Sequence, residues 1–197
     1  IPSGETSSYR SNPLRLAEFT LSRKEPAYVG RAKAVQKEEQ ARQTYLEQKE
    51  SLTAAQKGFP ADLQDAGFVE ATGSLVFAIK PGDGSAREQA ASCQRVLGGD
   101  ANVALEYATK RYRSNLINWG IIPFIIEAKD QDLLEVGDRV LIRGIREAVA
   151  SGAERVTAEI RRGEQKLPIT LLLANLSEAE RRILLSGCLI NFYGEER

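Results

Sequence analysis

The chain has 197 residues, 27 Lys and Arg against 27 Asp and Glu, no histidine and two cysteines. That length holds one domain with a sizeable core, or one domain with a helical excursion. Zero formal charge argues against a basic nucleic-acid surface, the lack of histidine removes imidazole bases and Ser–His pairs, and no apolar run approaches the ~18 residues of a membrane span.

Residues 1–27 open with Gly, Pro and Ser punctuation and read as loop, followed by a short packed element carrying Leu14, Leu16, Phe19 and Leu21. Arg10 falls in this turn-rich stretch. Residues 28–58 are rich in Gln, Glu and Lys and poor in large apolar side chains, which predicts one or two long exposed helices ended by Gly58-Phe59-Pro60. Val35, Tyr45, Leu46 and Leu52 are the side chains available to dock it. This helix serves either as a solvated face or as a contact for other domains.

Ser74–Ile79 (SLVFAI) predicts a buried strand. Pro81-Gly82-Asp83-Gly84-Ser85 then turns sharply, and Ala86, Ala90, Cys93 and Leu97 share one helical face that stops at Gly98-Gly99. Ser85 occupies the expected N-cap position. The first turn of a helix presents unpaired N–H groups and the positive end of the macrodipole, worth about 0.3–1 kcal/mol to a nearby anion. Arg87 adds a guanidinium fork suited to carboxylate. The same spacing also fits an ordinary N-cap serine beside a surface arginine. Asn102–Tyr107 predicts a second strand, Tyr112, Leu116 and Trp119 a helix face ending at Gly120, and Ile121–Ile126 a third strand in which Pro123 implies an edge or a bulge. Strand–helix–strand–helix–strand implies a largely parallel core with ligand chemistry beyond the carboxyl ends of the strands, where Ser85 lies. Arg111, Arg113 and Asn115 read as a solvated helix face.

Past Asp130 the pattern turns β-rich. Leu133–Ile142 holds a turn and a strand, Ile145–Ala150 a helical turn or two, and Val156, Ala158 and Ile160 alternate with polar residues as in a half-exposed strand. Gly163 turns the chain and Ile169–Leu173 returns. Ser177-Glu178-Ala179-Glu180 has capping-box spacing, Ile183 and Leu184 face inward, Gly187 ends the helix, and residues 191–197 read as a polar tail. Cys93 and Cys188 lie on predicted apolar helix faces and are expected to be core thiols in a reducing, cytoplasmic compartment, not a disulfide framework. A chain that starts at Ile1 and contains no methionine is expected to be a cut-out or processed piece of a longer protein.

Gly82–Ala91 (GDGSAREQAA), then Leu97-Gly98-Gly99, then Asn115-Leu116 through Gly120-Ile121-Ile122-Pro123 match in order and spacing a GEGSSREHAA-like segment, an LGG and an NL-x-x-x-G-[IL]-[IL]-P stretch. This resembles the C-terminal swivel domain of the aconitase superfamily. The resemblance implies an α/β fold, a three-layer β/β/α domain that swivels against cluster-bearing domains, here with a polar helical insertion near residues 28–58 that aligns with nothing in the family. It implies Ser85 as the catalytic base and Arg87 as a substrate-carboxylate ligand, with Gly84 and Ala86 beside the substrate. Ala86 departs from the family's second serine and removes one hydroxyl. Ser8-Tyr9-Arg10-Ser11-Asn12 resembles the family's SRRGN-like run, which implies carboxylate binding by Arg10. The implied activity is reversible dehydration of a hydroxy di- or tricarboxylate. A [4Fe–4S] cluster is expected on the N-terminal domains and no metal or cofactor in this chain, because two cysteines are too few to hold one. The partners expected are those domains and the small carboxylate, without membrane or nucleic acid. The alternatives are a small subunit of an isopropylmalate-dehydratase type enzyme, a non-catalytic carboxylate-binding regulatory module, and RNA binding.

Overall fold

The computed structural model describes residues 1–2, 4–47, 71–173 and 175–195. Its centre is two βα units and a closing strand: β1 (Ser74–Ala78), α3 (Arg87–Val96), β2 (Gly99–Ala104), α4 (Lys110–Asn118) and β3 (Ile122–Ile125). β1 and β3 flank β2, both parallel to it. Period-two alternation divides the side chains. Leu75, Phe77, Ala101, Val103, Ile122 and Phe124 join one apolar cluster. On the opposite face, Val76 packs with Cys93 and Leu97 of α3, and Asn102 bonds to Tyr112 of α4.

A meander extends this sheet: β4 (Arg139–Ile142), α5 (Ile145–Ser151), β5 (Arg155–Arg162) and β6 (Gln165–Leu172). The six strands run β1-β2-β3-β6-β5-β4, with the last three antiparallel. Gly163 takes φ 57 in the two-residue turn between β5 and β6. The alternation read in β5 holds, with Val156, Ala158 and Ile160 buried. These side chains, with Ile169 and Leu171, belong to the same core as Val103 and Phe124. The parallel and antiparallel strands thus form one mixed six-stranded sheet rather than the two β layers expected of a β/β/α domain: its strands share one apolar cluster, and helices α3 and α4 pack on the other face of the parallel half.

Two strands differ from expectation for reasons of position. β1 is half-buried along most of its length, not buried, because it is the edge strand, and Ile79 beyond it is 53% exposed. Pro123 lies in an interior strand, yet β3 meets β6 at one residue pair, Ile125 with Leu172. Pro123 pairs with Asn102 on one side and has no ladder partner on the other, so its missing N–H costs no strand hydrogen bond.

The N-terminal segment is a 3-10 turn (Ser7–Tyr9) and α1 (Pro13–Ala17), capped by the Asn12 side chain on the Arg15 amide. Leu16 is buried, but Leu14, expected to pack, is 73% exposed. The polar helix is α2 (Tyr28–Glu47). It docks through Tyr28 and Ala32 onto Leu16, Ala17, Cys93 and Leu97. Its Gln36 amide donates to the Val96 carbonyl at 3.1 Å and its Glu38 pairs with Arg139 of β4 at 3.1 Å. Val35 is only half-buried, and the side chains of Tyr45, Leu46 and Leu52, with the helix end expected at 48–58, lie outside the described residues.

At the other end, α6 (Glu178–Leu185) carries the full Ser177–Glu180 capping box. The expected polar tail is instead a helix, α7 (Leu189–Glu195). Phe192 is buried against Ile117 and Ile183, with the Arg182 guanidinium 4.8 Å from its ring centre. Cys93 is buried and Cys188 only half-buried, and both are free thiols. No helix among the described residues is long and apolar enough to cross a membrane.

Phe124 is fully buried in the core and Val136 is 73% exposed. Phe124→Ala is expected to cost about 3–5 kcal/mol in urea unfolding, and Val136→Ala less than about 0.5 kcal/mol. Arg162 clamps Asp138 through Nε and Nη2, each at 2.7 Å, and holds its carboxyl below the usual aspartate range. A depressed carboxylate contributes stability above its unfolded pKa and loses it as pH falls through the folded value. Asp138→Asn is therefore expected to be less stable than wild type at pH 7, with the gap closing as pH falls below the ordinary aspartate value of about 3.9 and on through the depressed folded one, as urea midpoints along a descending pH series will read.

Candidate active site

The loop after β1 is sewn to the loop after β2. The Ile79 carbonyl accepts from the Leu105 and Glu106 amides, both at 3.2 Å, and the Pro81 carbonyl from the Ala108 amide at 2.9 Å. Gly82 follows at φ 101, a conformation L side chains rarely adopt. A Cβ there would stand 2.6 Å from Cβ and Cδ1 of Tyr112, so the ring occupies the space a larger residue would need. The Gly82 carbonyl accepts from Thr109 Oγ1 and from Arg87 Nε, each at 3.2 Å. Below it, the buried Tyr112 hydroxyl accepts from Asn102 Nδ2 at 3.0 Å and Gln94 Nε2 at 3.5 Å, and burial pushes it up to about 12.

Asp83, Gly84 and Ser85 then project into solvent. Ser85 does not cap the helix: Ala86 does, at φ −85 and ψ 51, without any side-chain hydrogen bond. The turn set by Gly82 and Tyr112 delays the helix by one residue, which overrides the serine's capping preference. The Ser85 hydroxyl consequently has no hydrogen-bond partner among the described residues. The first backbone bond of α3 runs from the Ala90 amide to the Ala86 carbonyl, so the amides before Ala90 form the open positive end of the helix. Glu88 in that turn accepts from Nε1 of Trp119, the single tryptophan, at 3.0 Å.

Gly84, Ser85, Ala86 and Arg87 thus lie together at the carboxyl end of the parallel strands. Arg10 does not join them by any hydrogen bond or ion pair among the described residues. It ends the Ser7–Tyr9 turn, exposed, in the segment that packs on Cys93 and Leu97 toward the far end of α3. Arg111 is exposed as expected, but Arg113 is not a solvated residue. It ties α4 to α6 through Glu180 at 2.9 Å and the Asn175 carbonyl at 3.2 Å. Sequence reasoning missed Thr109, which caps α4 by accepting from the Tyr112 amide at 3.2 Å. A threonine three residues before the first apolar position of that helix was the available signal.

An iron–sulfur cluster does not fit this chain. It has two cysteines, and burial pushes the Cys93 thiol up to about 11. No group of three or more His, Cys, Asp or Glu among the described residues could hold a metal ion. Two small surface cavities, about 130 and 290 Å³, lie beside α5 and α6 and beside β5 and β6, and Ser85 lines neither.

A parallel βα core continued by an antiparallel meander in one mixed sheet, with a serine and an arginine displayed where a glycine loop meets a helix, defines the class as an α/β domain that presents this loop beside its edge strand. Residues 29–129 match the Aconitase C-terminal domain family, and the chain belongs to that family. The match takes in all of α2 but Tyr28, a helix the motif comparison left unaligned, and contains Gly84 to Arg87. It does not reach Arg10 or the strands after residue 129. Among solved structures, the 3-isopropylmalate dehydratase of Methanocaldococcus jannaschii is similar at a TM-score of 0.45 and 23% identity, over 71% of this chain and 72% of that one. No curated protein matches the chain by sequence. The chain is an aconitase-like hydratase domain.

Gly82→Ala forces both a left-handed backbone and a clash with Tyr112, whereas a Cβ at Gly84 meets nothing within 4 Å. Thermal unfolding is expected to show Gly82→Ala destabilised by more than about 1 kcal/mol and Gly84→Ala unchanged within about 0.5 kcal/mol.

Proposed function

We propose that this domain supplies the proton acceptor and carboxylate ligands of a hydro-lyase acting on a 2- or 3-hydroxy acid with at least two carboxylates. Ser85, as alkoxide, removes the proton from the carbon next to a carboxylate. That C–H electron pair becomes the double bond as the hydroxyl departs from the neighbouring carbon, and the reverse steps add water. Arg87 holds one carboxylate, Arg10 a second, and Gly84 and Ala86 line the site. The observation that carries this reading is an unengaged Ser85 hydroxyl beside an uncapped helix start and a guanidinium.

Exposure decides what the domain can do alone. In water the serine hydroxyl keeps its proton. When another domain closes over the loop and excludes water, the helix pole and the Arg87 charge act through a lower dielectric and favour the alkoxide. The natural partner is therefore proposed to be a cluster-bearing domain set, in the same polypeptide or a separate subunit, in the cytoplasm. Because this chain's cysteines do not fit a cluster, any [4Fe–4S] group resides on that partner. Ala86 supports a second reading, a non-catalytic module that holds a regulatory carboxylate at the open helix start.

In the assembled protein, Ser85→Ala is expected to lower kcat by about 10²–10⁴ with unfolding unchanged, since the side chain is exposed and unbonded. The isolated chain is expected to show no turnover. A Ser85→Ala protein that dehydrates as fast as wild type would remove Ser85 as the base. Calorimetric binding of di- and tricarboxylates without turnover in the assembled wild type would favour the regulatory module.

A further inference from the structure

We propose that Thr109 is a positioning residue for Arg87, setting which edge of its guanidinium meets the substrate carboxylate. The proposal rests on the reading of Arg87 as a carboxylate ligand. Three contacts converge on one peptide group. Thr109 Oγ1 accepts from the Tyr112 amide and donates its own proton to the Gly82 carbonyl, both at 3.2 Å. Arg87 Nε–H donates to the same carbonyl at 3.2 Å. The Tyr112 ring fills the space beside Gly82 and keeps that peptide from rotating.

The carbonyl has two lone pairs and both are used. One donor comes from the start of α4, the other from the start of α3, so Thr109 aims the acceptor and the acceptor aims the arginine. The consequence is stereochemical. With Nε–H engaged by Gly82, the side-on pair Nε and Nη cannot grip a carboxylate. The end-on fork of Nη1 and Nη2 has no acceptor among the described residues and is left for the ligand. An arginine free to rotate would offer either edge, and Thr109 removes that choice.

The test separates this role from the residue's part in capping α4. In ¹⁵N-labelled wild-type protein, the Arg87 Nε–H is expected to exchange with water about tenfold more slowly than those of the exposed Arg10 and Arg111. Thr109→Val, which keeps the shape and loses the hydroxyl, is expected to bring Arg87 within twofold of those two, and Thr109→Ser to preserve the protection. A merely structural Thr109 would lower the unfolding midpoint and leave this exchange rate unmoved. Wild-type Arg87 exchanging as fast as Arg10, or Thr109→Val exchanging as slowly as wild type, overturns the proposal. The wild-type measurement stands even if the valine variant does not fold. In the assembled enzyme, with citrate and malate as probes, Thr109→Val is expected to raise KM five- to tenfold with kcat within twofold, and Thr109→Ser to restore it. Unchanged KM in Thr109→Val with altered exchange overturns the ligand role of Arg87 while leaving its orientation by Thr109 intact.

Discussion

The carbonyl of Gly82 is the point on which the site is built. It sits between the amino ends of two neighbouring helices and accepts a bond from each, one through Thr109 and one through Arg87. Its orientation requires a backbone conformation open to glycine and a Tyr112 ring pressed against the missing side chain. Remove either and the loop carrying Ser85 loses its reference to the sheet. Tyr112 is itself fixed by Asn102 from the middle strand and Gln94 from α3, so the loop's position traces back to the interior. Through these bonds the shape of the surface loop is tied to the core.

The remainder of the fold supports that corner without entering it. Parallel strands give the loop its place at their carboxyl ends, and the antiparallel strands continue the sheet and add Val156, Ala158 and Ile160 to the core on the face away from α3. α2 adds little apolar area. It is held by Tyr28, Ala32, a Gln36 bond to a helix-end carbonyl and an ion pair to β4. That ion pair spans partly exposed residues and contributes direction more than energy.

Much of this was legible in the residues. The β5 alternation, the Ser177 capping box, the glycines closing α3 and α4 and the strand–helix–strand order each depend on local chemistry, and each appears where the pattern placed it. The motif containing Ser85, Ala86 and Arg87 falls where the strand–turn–helix pattern placed it, between β1 and α3. What the pattern could not supply was anything set by a distant neighbour. Ser85 loses the N-cap to Ala86 because Tyr112 dictates the turn. Phe192 converts a polar-looking tail into a helix because Ile117 and Ile183 offer it a pocket. Strand β1 is half-covered because it lies at the sheet margin, and Arg113 is engaged because Glu180 reaches it across 67 positions of sequence. Arg10 shows the opposite limit, since a short motif named it and it makes no hydrogen bond or ion pair among the described residues.

The lone tryptophan gives the molecule an optical property of its own. Trp119 leans its indole N–H on Glu88, one residue beyond Arg87, at a partly solvated spot. Indole emission moves to shorter wavelength as water is stripped from its surroundings. Any body that covers the start of α3 therefore changes the colour of this chain's fluorescence, with no dye attached and no competing indole to blur the signal.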